Sequence, residues 1–94
     1  MARHHSREPS LRRESSVLLD WMCVEWGFCI PPKEADRIAA SESLNAAEFA
    51  TDVLRAEGFP NPEYEVYWLR RIKRRFVEHF GGESISAKGY ASEQ

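Results

Sequence analysis

Apolar residues recur along this chain every three or four positions, which is the period of an α-helix rather than that of a β-strand. Between about residues 10 and 26, Leu11, Leu18 and Met22 lie on one such stripe, and Gly27 ends the pattern. The spacing predicts a first helix over residues 10–26 with a broad apolar face.

A later segment carries the clearest signals for the two ends of a helix. Asn45 is a good N-cap residue, and Glu48 follows three positions later, as in a capping box. At the far end Gly58 suits the left-handed position after the last turn, and Phe59 can fold back on Leu54. Local chemistry therefore predicts a helix between Asn45 and Gly58.

Two further helices are predicted on either side of that segment. The short one starts at Pro32, since proline is favoured in a first turn, and ends near Ser41. The long one takes Asn61 as its cap and Pro62 as its first residue. It runs to about Phe80, where two glycines follow.

The fold class that follows is all-α: a compact four-helix domain, orthogonal or bundle-like, over residues 10–82. No segment has the alternation typical of a strand. Residues 1–9 are predicted to form a disordered basic tail, and residues 83–94 a flexible C-terminal tail. With 94 residues the chain has room for one hydrophobic core.

The net charge of −2 conceals three blocks of alternating sign. Residues 1–13 hold four arginines against one glutamate, and residues 14–65 hold eleven acidic residues against three basic ones. Residues 66–80 hold five basic residues against Glu78. This segregation indicates a surface that attracts a charged partner, which the total charge alone would not.

The basic run of the fourth helix is the strongest candidate for a binding surface. On a helical wheel its bases point outward, and one aromatic side chain lies among them. Three interpretations stay open: the bases are solvated or lie against the acidic middle of the same molecule, they bind an acidic protein, or they neutralise nucleic-acid phosphates. The candidate binding residues are Tyr67, Arg70, Arg71, Lys73 and Arg74.

The three tryptophans are interpreted mainly as core residues. Trp26 is the exception, because it stands near the end of its helix and is followed by Gly27 and Phe28. Trp26 and Phe28 are therefore candidates for an apolar anchor that a partner would cover.

Two cysteines, Cys23 and Cys29, stand six positions apart with no nearby histidine to complete a zinc site. We expect two reduced, buried thiols, with a disulfide as the alternative. No apolar run is long enough for a membrane span or a signal peptide. The sequence therefore favours a cytoplasmic protein without membrane contact.

No catalytic or cofactor motif is evident in the sequence. It holds no glycine-rich phosphate loop, HExxH motif or nucleophile elbow, so no enzyme activity, metal, cofactor or small-molecule substrate is predicted. Glu14 and Glu25 are too far apart for an acid–base pair, and a salt bridge from either to an arginine of the fourth helix is expected. A helix-turn-helix over residues 35–54 would have an acidic recognition helix, which phosphates would repel.

The sequence as a whole predicts a non-enzymatic helical interaction or regulatory module that binds another protein, which includes a second copy of itself. Charge segregation and eleven aromatic residues in so short a chain motivate this prediction. The alternative is a small nucleic-acid-binding regulator that uses the basic fourth helix and the arginines of residues 1–13.

Overall fold

A computed structural model describes residues 10–86, which form four α-helices, one 3₁₀ turn and a two-stranded sheet. The all-α, four-helix fold class is thereby confirmed, with the small sheet as an addition. The predicted tail over residues 1–9, and residues 87–94 of the second predicted tail, lie outside the described residues. The elements in chain order are α1 (Leu11–Trp26), α2 (Pro32–Ala39), β1 (Ser43–Asn45), α3 (Ala46–Ala56), the 3₁₀ turn (Pro62–Tyr64), α4 (Val66–Phe80) and β2 (Ser84–Ser86).

Side-chain and glycine caps fix both ends of α1, and the sequence predicts the glycine cap. The Ser10 hydroxyl accepts a hydrogen bond from the backbone N–H of Arg13 at 3.1 Å. Gly27 adopts φ 79°, a left-handed conformation in which glycine carries no steric penalty. Between these ends Leu18 and Met22 are buried.

The predicted caps of α3 are confirmed at both ends. The side-chain oxygen of Asn45 accepts two backbone N–H bonds, one of them from Glu48 at 3.1 Å. At the other end Gly58 has φ 104°, and the N–H of Phe59 donates to the carbonyl of Leu54 at 3.0 Å. This is the Schellman pattern, in which a left-handed residue lets the chain reverse over the last turn.

The predicted start of α4 is wrong by four residues. Asn61 makes no side-chain capping bond, and the turn from Pro62 is a 3₁₀ turn, closed by a bond from the Glu65 N–H to the Pro62 carbonyl at 2.9 Å. At Glu65 the backbone leaves the helical region (φ −90°, ψ 65°). The α-helix therefore starts only at Val66.

A two-stranded antiparallel sheet joins segments that are distant in sequence, although no strand is predicted. Leu44 of β1 pairs with Ile85 of β2, and the Ala46 N–H donates to the Glu83 carbonyl at 2.8 Å. Leu44 is buried and Ile85 packs against the core. Residues 84–86, assigned above to the C-terminal tail, are thus in the sheet.

The hydrophobic core lies mainly between α3 and α4, and α1 packs with α2 beside it. The rings of Phe49 and Phe76 lie 5.2 Å apart at its centre, and both side chains are buried. Ile72 shares the inward face of α4 with Phe76. The opposite face of α4, which carries the basic run, stays at the surface.

The expectation of two reduced thiols is wrong, because Cys23 and Cys29 form a disulfide. The left-handed Gly27 turns the chain back over the last turn of α1, and its N–H donates to the Cys23 carbonyl at 3.0 Å. This reversal brings the two Cα atoms to 4.3 Å. Cys29 lies at the surface, so solvent reaches the bridge.

None of the helices described over residues 10–86 is both long and apolar enough to cross a membrane.

Candidate binding site: an arginine–tryptophan groove

Side-chain contacts between α1 and α4 show that the two helices run in opposite directions. Glu14, near the start of α1, bonds His79, near the end of α4, at 3.0 Å. Farther along α1, the guanidinium of Arg75 lies over the ring of Trp21. At the end of α1, Trp26 meets Arg71. A groove therefore runs between the two helices, with tryptophans on one wall and arginines on the other.

We call this the arginine–tryptophan groove. It is an open depression of about 760 Å³, large enough for a peptide segment or a few nucleotides. Its lining combines aromatic rings, four guanidinium groups and a single carboxylate. The lining residues are Trp21, Trp26, Tyr67, Arg70, Arg71, Arg74, Arg75 and Glu78.

Arg71 is held in place by three aromatic rings. Its guanidinium carbon lies 4.9 Å from the ring centre of Trp26, 5.4 Å from that of Tyr67 and 5.5 Å from that of Trp68. Its Nη1 also donates a hydrogen bond to the Tyr67 hydroxyl at 2.6 Å. A guanidinium in this environment is attracted by the ring faces and loses rotational freedom before any ligand arrives.

Arg75 is held in a similar way, one helical turn farther along. Its guanidinium lies 4.4 Å from the ring centre of Trp21, the shortest of these arginine–ring distances. The same group is 3.9 Å from the carboxylate of Glu78, on its own helix. Arg75 is the less exposed of that pair, at 23% side-chain exposure. Glu78 therefore offsets part of the positive charge at this end of the groove.

Over the described residues, 10–86, the acidic middle of the chain makes no ion pair with the basic run. Among residues 10–86, the only ion pair of the basic run within 4.0 Å is that of Arg75 with Glu78. The other ion pairs described are Arg37–Glu34, Arg55–Asp52 and His79–Glu14. Within this part of the chain, the bases form no ion pair with the acidic segment, although tryptophans of α1, which belongs to that segment, pack against Arg71 and Arg75.

Stacked arginines are suited to binding oxyanions. A guanidinium that rests on a ring through its flat face keeps its N–H groups in the plane, where they match a carboxylate or phosphate fork. Arg71 and Arg75 stand four residues apart, ~6 Å along the helix axis. The exposed side chains of Arg70 and Arg74 add charge along the rim.

The structure brings together most of the predicted binding residues but not all of them. Tyr67, Arg70, Arg71 and Arg74 line the groove, and so does Trp26, one of the two expected anchors. Lys73 projects elsewhere and lines a separate depression beside the start of α3.

The second expected anchor, Phe28, is a core residue instead. It is 8% exposed, and its ring lies 4.7 Å from that of Trp68 and 6.2 Å from those of Trp26 and Phe59. The turn at Gly27 directs this side chain inward, so Phe28 supports the aromatic floor of the groove from below.

Sequence reasoning missed Trp21 and Arg75 as groove residues. The sequence favours a core position for Trp21, and Arg75 is not among the candidate binding residues that it indicates. A signal for Arg75 was present, since Tyr67, Arg71 and Arg75 recur every four residues and share one face of α4. For Trp21 there was no local signal, because its exposure depends on how α1 crosses α4.

The polar groups beside the groove have structural partners. Glu14 pairs with His79 rather than with an α4 arginine, so that part of the expectation is wrong. The imidazole also lies edge-on to the ring of Phe80, at 4.9 Å between centres. Over residues 10–86 no set of three or more His, Cys, Asp or Glu side chains is arranged to hold a metal ion.

No family model, curated protein or solved structure matches this chain. The chemistry of the groove is therefore the basis for a proposed function.

Proposed function

We propose that this protein is a non-enzymatic interaction module that binds a short, carboxylate-rich segment of a partner protein in the arginine–tryptophan groove. One observation carries the proposal: Arg71 and Arg75 stand one turn apart, each with its guanidinium over a tryptophan ring, and both line an open groove. Arginines fixed in this way bind carboxylates with less loss of side-chain entropy than free ones.

The dimensions of the basic row favour a short ligand. From Arg70 to Arg75 the row extends only ~7.5 Å along α4, which is enough for two or three carboxylates. The flanking residues 14–65 are strongly acidic and would repel the remainder of a long polyanion. A peptide with a local cluster of acids satisfies both conditions.

Nucleic acid is the second candidate, because four arginines and three aromatic rings line one groove. Bases bind such surfaces by stacking on open ring faces. Here Arg71 lies over Trp26, and Arg75 over Trp21, so the ring faces that the arginines cover are not free for a base. This arrangement favours carboxylates that bind the guanidinium edges over bases that need the ring faces.

Fluorescence anisotropy with the full-length protein tests the proposal. We expect a labelled acidic peptide to bind, and Arg71→Gln or Arg75→Gln to weaken its binding about tenfold, as for loss of a charge-assisted hydrogen bond. Lys73→Gln is the matched control, because it removes the same charge outside the groove and should change the affinity less than twofold.

Two results would contradict this function. If single-stranded DNA of equal charge bound more tightly than the acidic peptide, with a steep salt dependence, the nucleic-acid alternative would replace it. If Lys73→Gln weakened peptide binding as much as Arg71→Gln, the groove would not be the site.

A further inference from the structure

Beside the groove, α1 carries an exposed aliphatic edge that the arginines do not explain. Val17 is 47% exposed and Val24 is 79% exposed. Trp21 lies between them, four residues after the first and three before the second, so the three side chains share one face of α1. We call this row the valine edge. It borders the groove through Trp21, which belongs to both.

Aliphatic surface of this kind discriminates between classes of ligand. Valine methyl groups offer no hydrogen bonds, and a sugar–phosphate backbone gains little from them. A protein segment gains from covering them, because burial of apolar area is the main favourable term in protein association. A ligand that contacts both the valine edge and the arginines must therefore present apolar side chains to the first and acids to the second.

The spacing of the two rows fits the period of one helix. Val17 and Val24 are ~10.5 Å apart along α1, which equals the rise between apolar positions i and i+7 of a partner helix. Arg71 and Arg75 are ~6 Å apart along α4, which equals the rise between acids at i and i+4. Because Trp21 belongs to the valine edge and also contacts Arg75, the two rows meet at the groove, and one helix can lie along both.

We propose that the occupant of the groove is an acidic amphipathic helix of a partner protein. Its apolar stripe covers the valine edge, and its carboxylates, one turn apart, bind Arg71 and Arg75. This proposal rests on the proposed function and specifies its partner. It places the complex among helix-in-groove interactions, in which an apolar stripe gives affinity and flanking charges set the orientation.

Three labelled peptides of equal length and charge test the proposal. The first has leucines at i, i+3 and i+7 and two glutamates four positions apart on the adjoining face. The second has the same composition in an order without helical period, and the third replaces the leucines by serines. We expect the first to bind at least tenfold more tightly than the others and to gain helicity in circular dichroism on binding.

Variants of the protein test the valine edge separately from the arginines. The double variant Val17→Ser/Val24→Ser should weaken binding of the first peptide about tenfold, equivalent to ~1.4 kcal/mol, and leave the serine peptide unaffected. Val66→Ser is the matched control, since Val66 is also an exposed valine, at 56%, but belongs to α4 and not to the valine edge. All substituted valines are exposed, so the variants should keep the wild-type helicity.

The outcomes distinguish failure of this inference from failure of the proposed function. If all three peptides bound equally and only Arg71→Gln and Arg75→Gln weakened them, the groove would bind acids but the amphipathic partner would be wrong. If no peptide bound, both proposals would fail. If the valine variants abolished self-association detected by sedimentation, a second copy of the chain would be the occupant and this proposal would be wrong.

Discussion

Two aromatic clusters in this molecule have nearly the same ring spacing and opposite surroundings. In the phenylalanine cluster (Phe49, Phe76, Phe80) the ring centres lie 4.8–5.2 Å apart. In the tryptophan cluster (Trp21, Trp26, Tyr67, Trp68) neighbouring centres lie 5.1–5.7 Å apart. Phe49 and Phe76 are almost fully buried, whereas Tyr67 is 60% exposed. Guanidinium groups lie against the tryptophan cluster, at 4.4 to 5.5 Å.

The difference shows that ring packing alone does not reveal what an aromatic cluster is for. The phenylalanine cluster stabilises the fold, because its area is removed from water. The tryptophan cluster keeps part of its area at the surface and holds Arg71 and Arg75 there. Exposure and cationic neighbours together are the features on which the proposed binding site rests.

Truncation of the phenylalanine cluster should give the largest loss of stability. We expect Phe76→Ala to lower the free energy of unfolding by ~3–5 kcal/mol, because it leaves a cavity at a fully buried position. Tyr67→Ala should change it by less than ~1 kcal/mol, since Tyr67 is largely exposed. Chemical denaturation followed by circular dichroism measures both values, and equal losses would remove the contrast between the clusters.

Removal of the disulfide should cause an intermediate loss of stability, because the bridge closes the loop that contains Trp26. The double variant Cys23→Ser/Cys29→Ser opens a loop of seven residues that contains Trp26, and we expect it to lower stability by ~2 kcal/mol. A dithiol reductant should shift the unfolding midpoint and tryptophan emission of the wild type and leave the double variant unchanged. A wild-type protein that did not respond to reductant would contradict this role.

Replacement of Arg71 by lysine isolates the value of the stacked guanidinium. Arg71→Lys keeps the charge but loses the planar fork that rests on Trp26, so we expect peptide affinity to fall about fivefold, ~1 kcal/mol. The reciprocal exchange Lys73→Arg should leave affinity unchanged. Anisotropy titrations at one ionic strength measure both, and equal affinities for the wild type and Arg71→Lys would mean that charge alone matters.

Removal of the α3 N-cap should lower the stability slightly without changing the binding affinity. Asn45→Ala removes the side-chain acceptor at the start of α3 and should cost ~1 kcal/mol of stability. The peptide affinity should not change, because Asn45 does not line the arginine–tryptophan groove. Denaturation and anisotropy on the same sample check the two halves of this prediction.

The smallest effect should be a gain of stability. Ser15 is fully buried on α1, and its hydroxyl has no hydrogen-bond partner among the described residues. Ser15→Ala removes that unpaired group and raises helix propensity, so we expect a gain of ~0.5–1 kcal/mol. Differential scanning calorimetry should record a higher melting temperature. A loss instead would show that the hydroxyl has a favourable contact.

Much of the fold could be predicted because its signals are local. Asn45 and Gly58 specify the two ends of α3 through their own backbone preferences, and Gly27 does the same at the end of α1. The sheet between residues 43–45 and 84–86 could not be predicted, since its strands have three residues each and pair only after the helices bring them together.

The sequence predicts most of the α4 wall of the groove, without Arg75, and only Trp26 on the α1 wall. The arginines of α4 are evident as a run, and helical spacing gives the face that they share. Trp21 joins that site because α1 packs beside α4 and places Trp21 against Arg75. No local sequence pattern indicates this contact. The disulfide is a similar case, because the turn at Gly27 is what brings Cys29 back to Cys23.

The most direct test of the account is an NMR titration of the ¹⁵N-labelled, full-length protein with the amphipathic acidic peptide. We predict that the indole N–H signals of Trp21 and Trp26 and the amide signals of α1 and α4 shift with one common affinity, while those of α3 stay in place. Shifts confined to α3 and the sheet would contradict the assignment of the arginine–tryptophan groove as the binding site. The absence of any shift at high peptide concentration would contradict it as well.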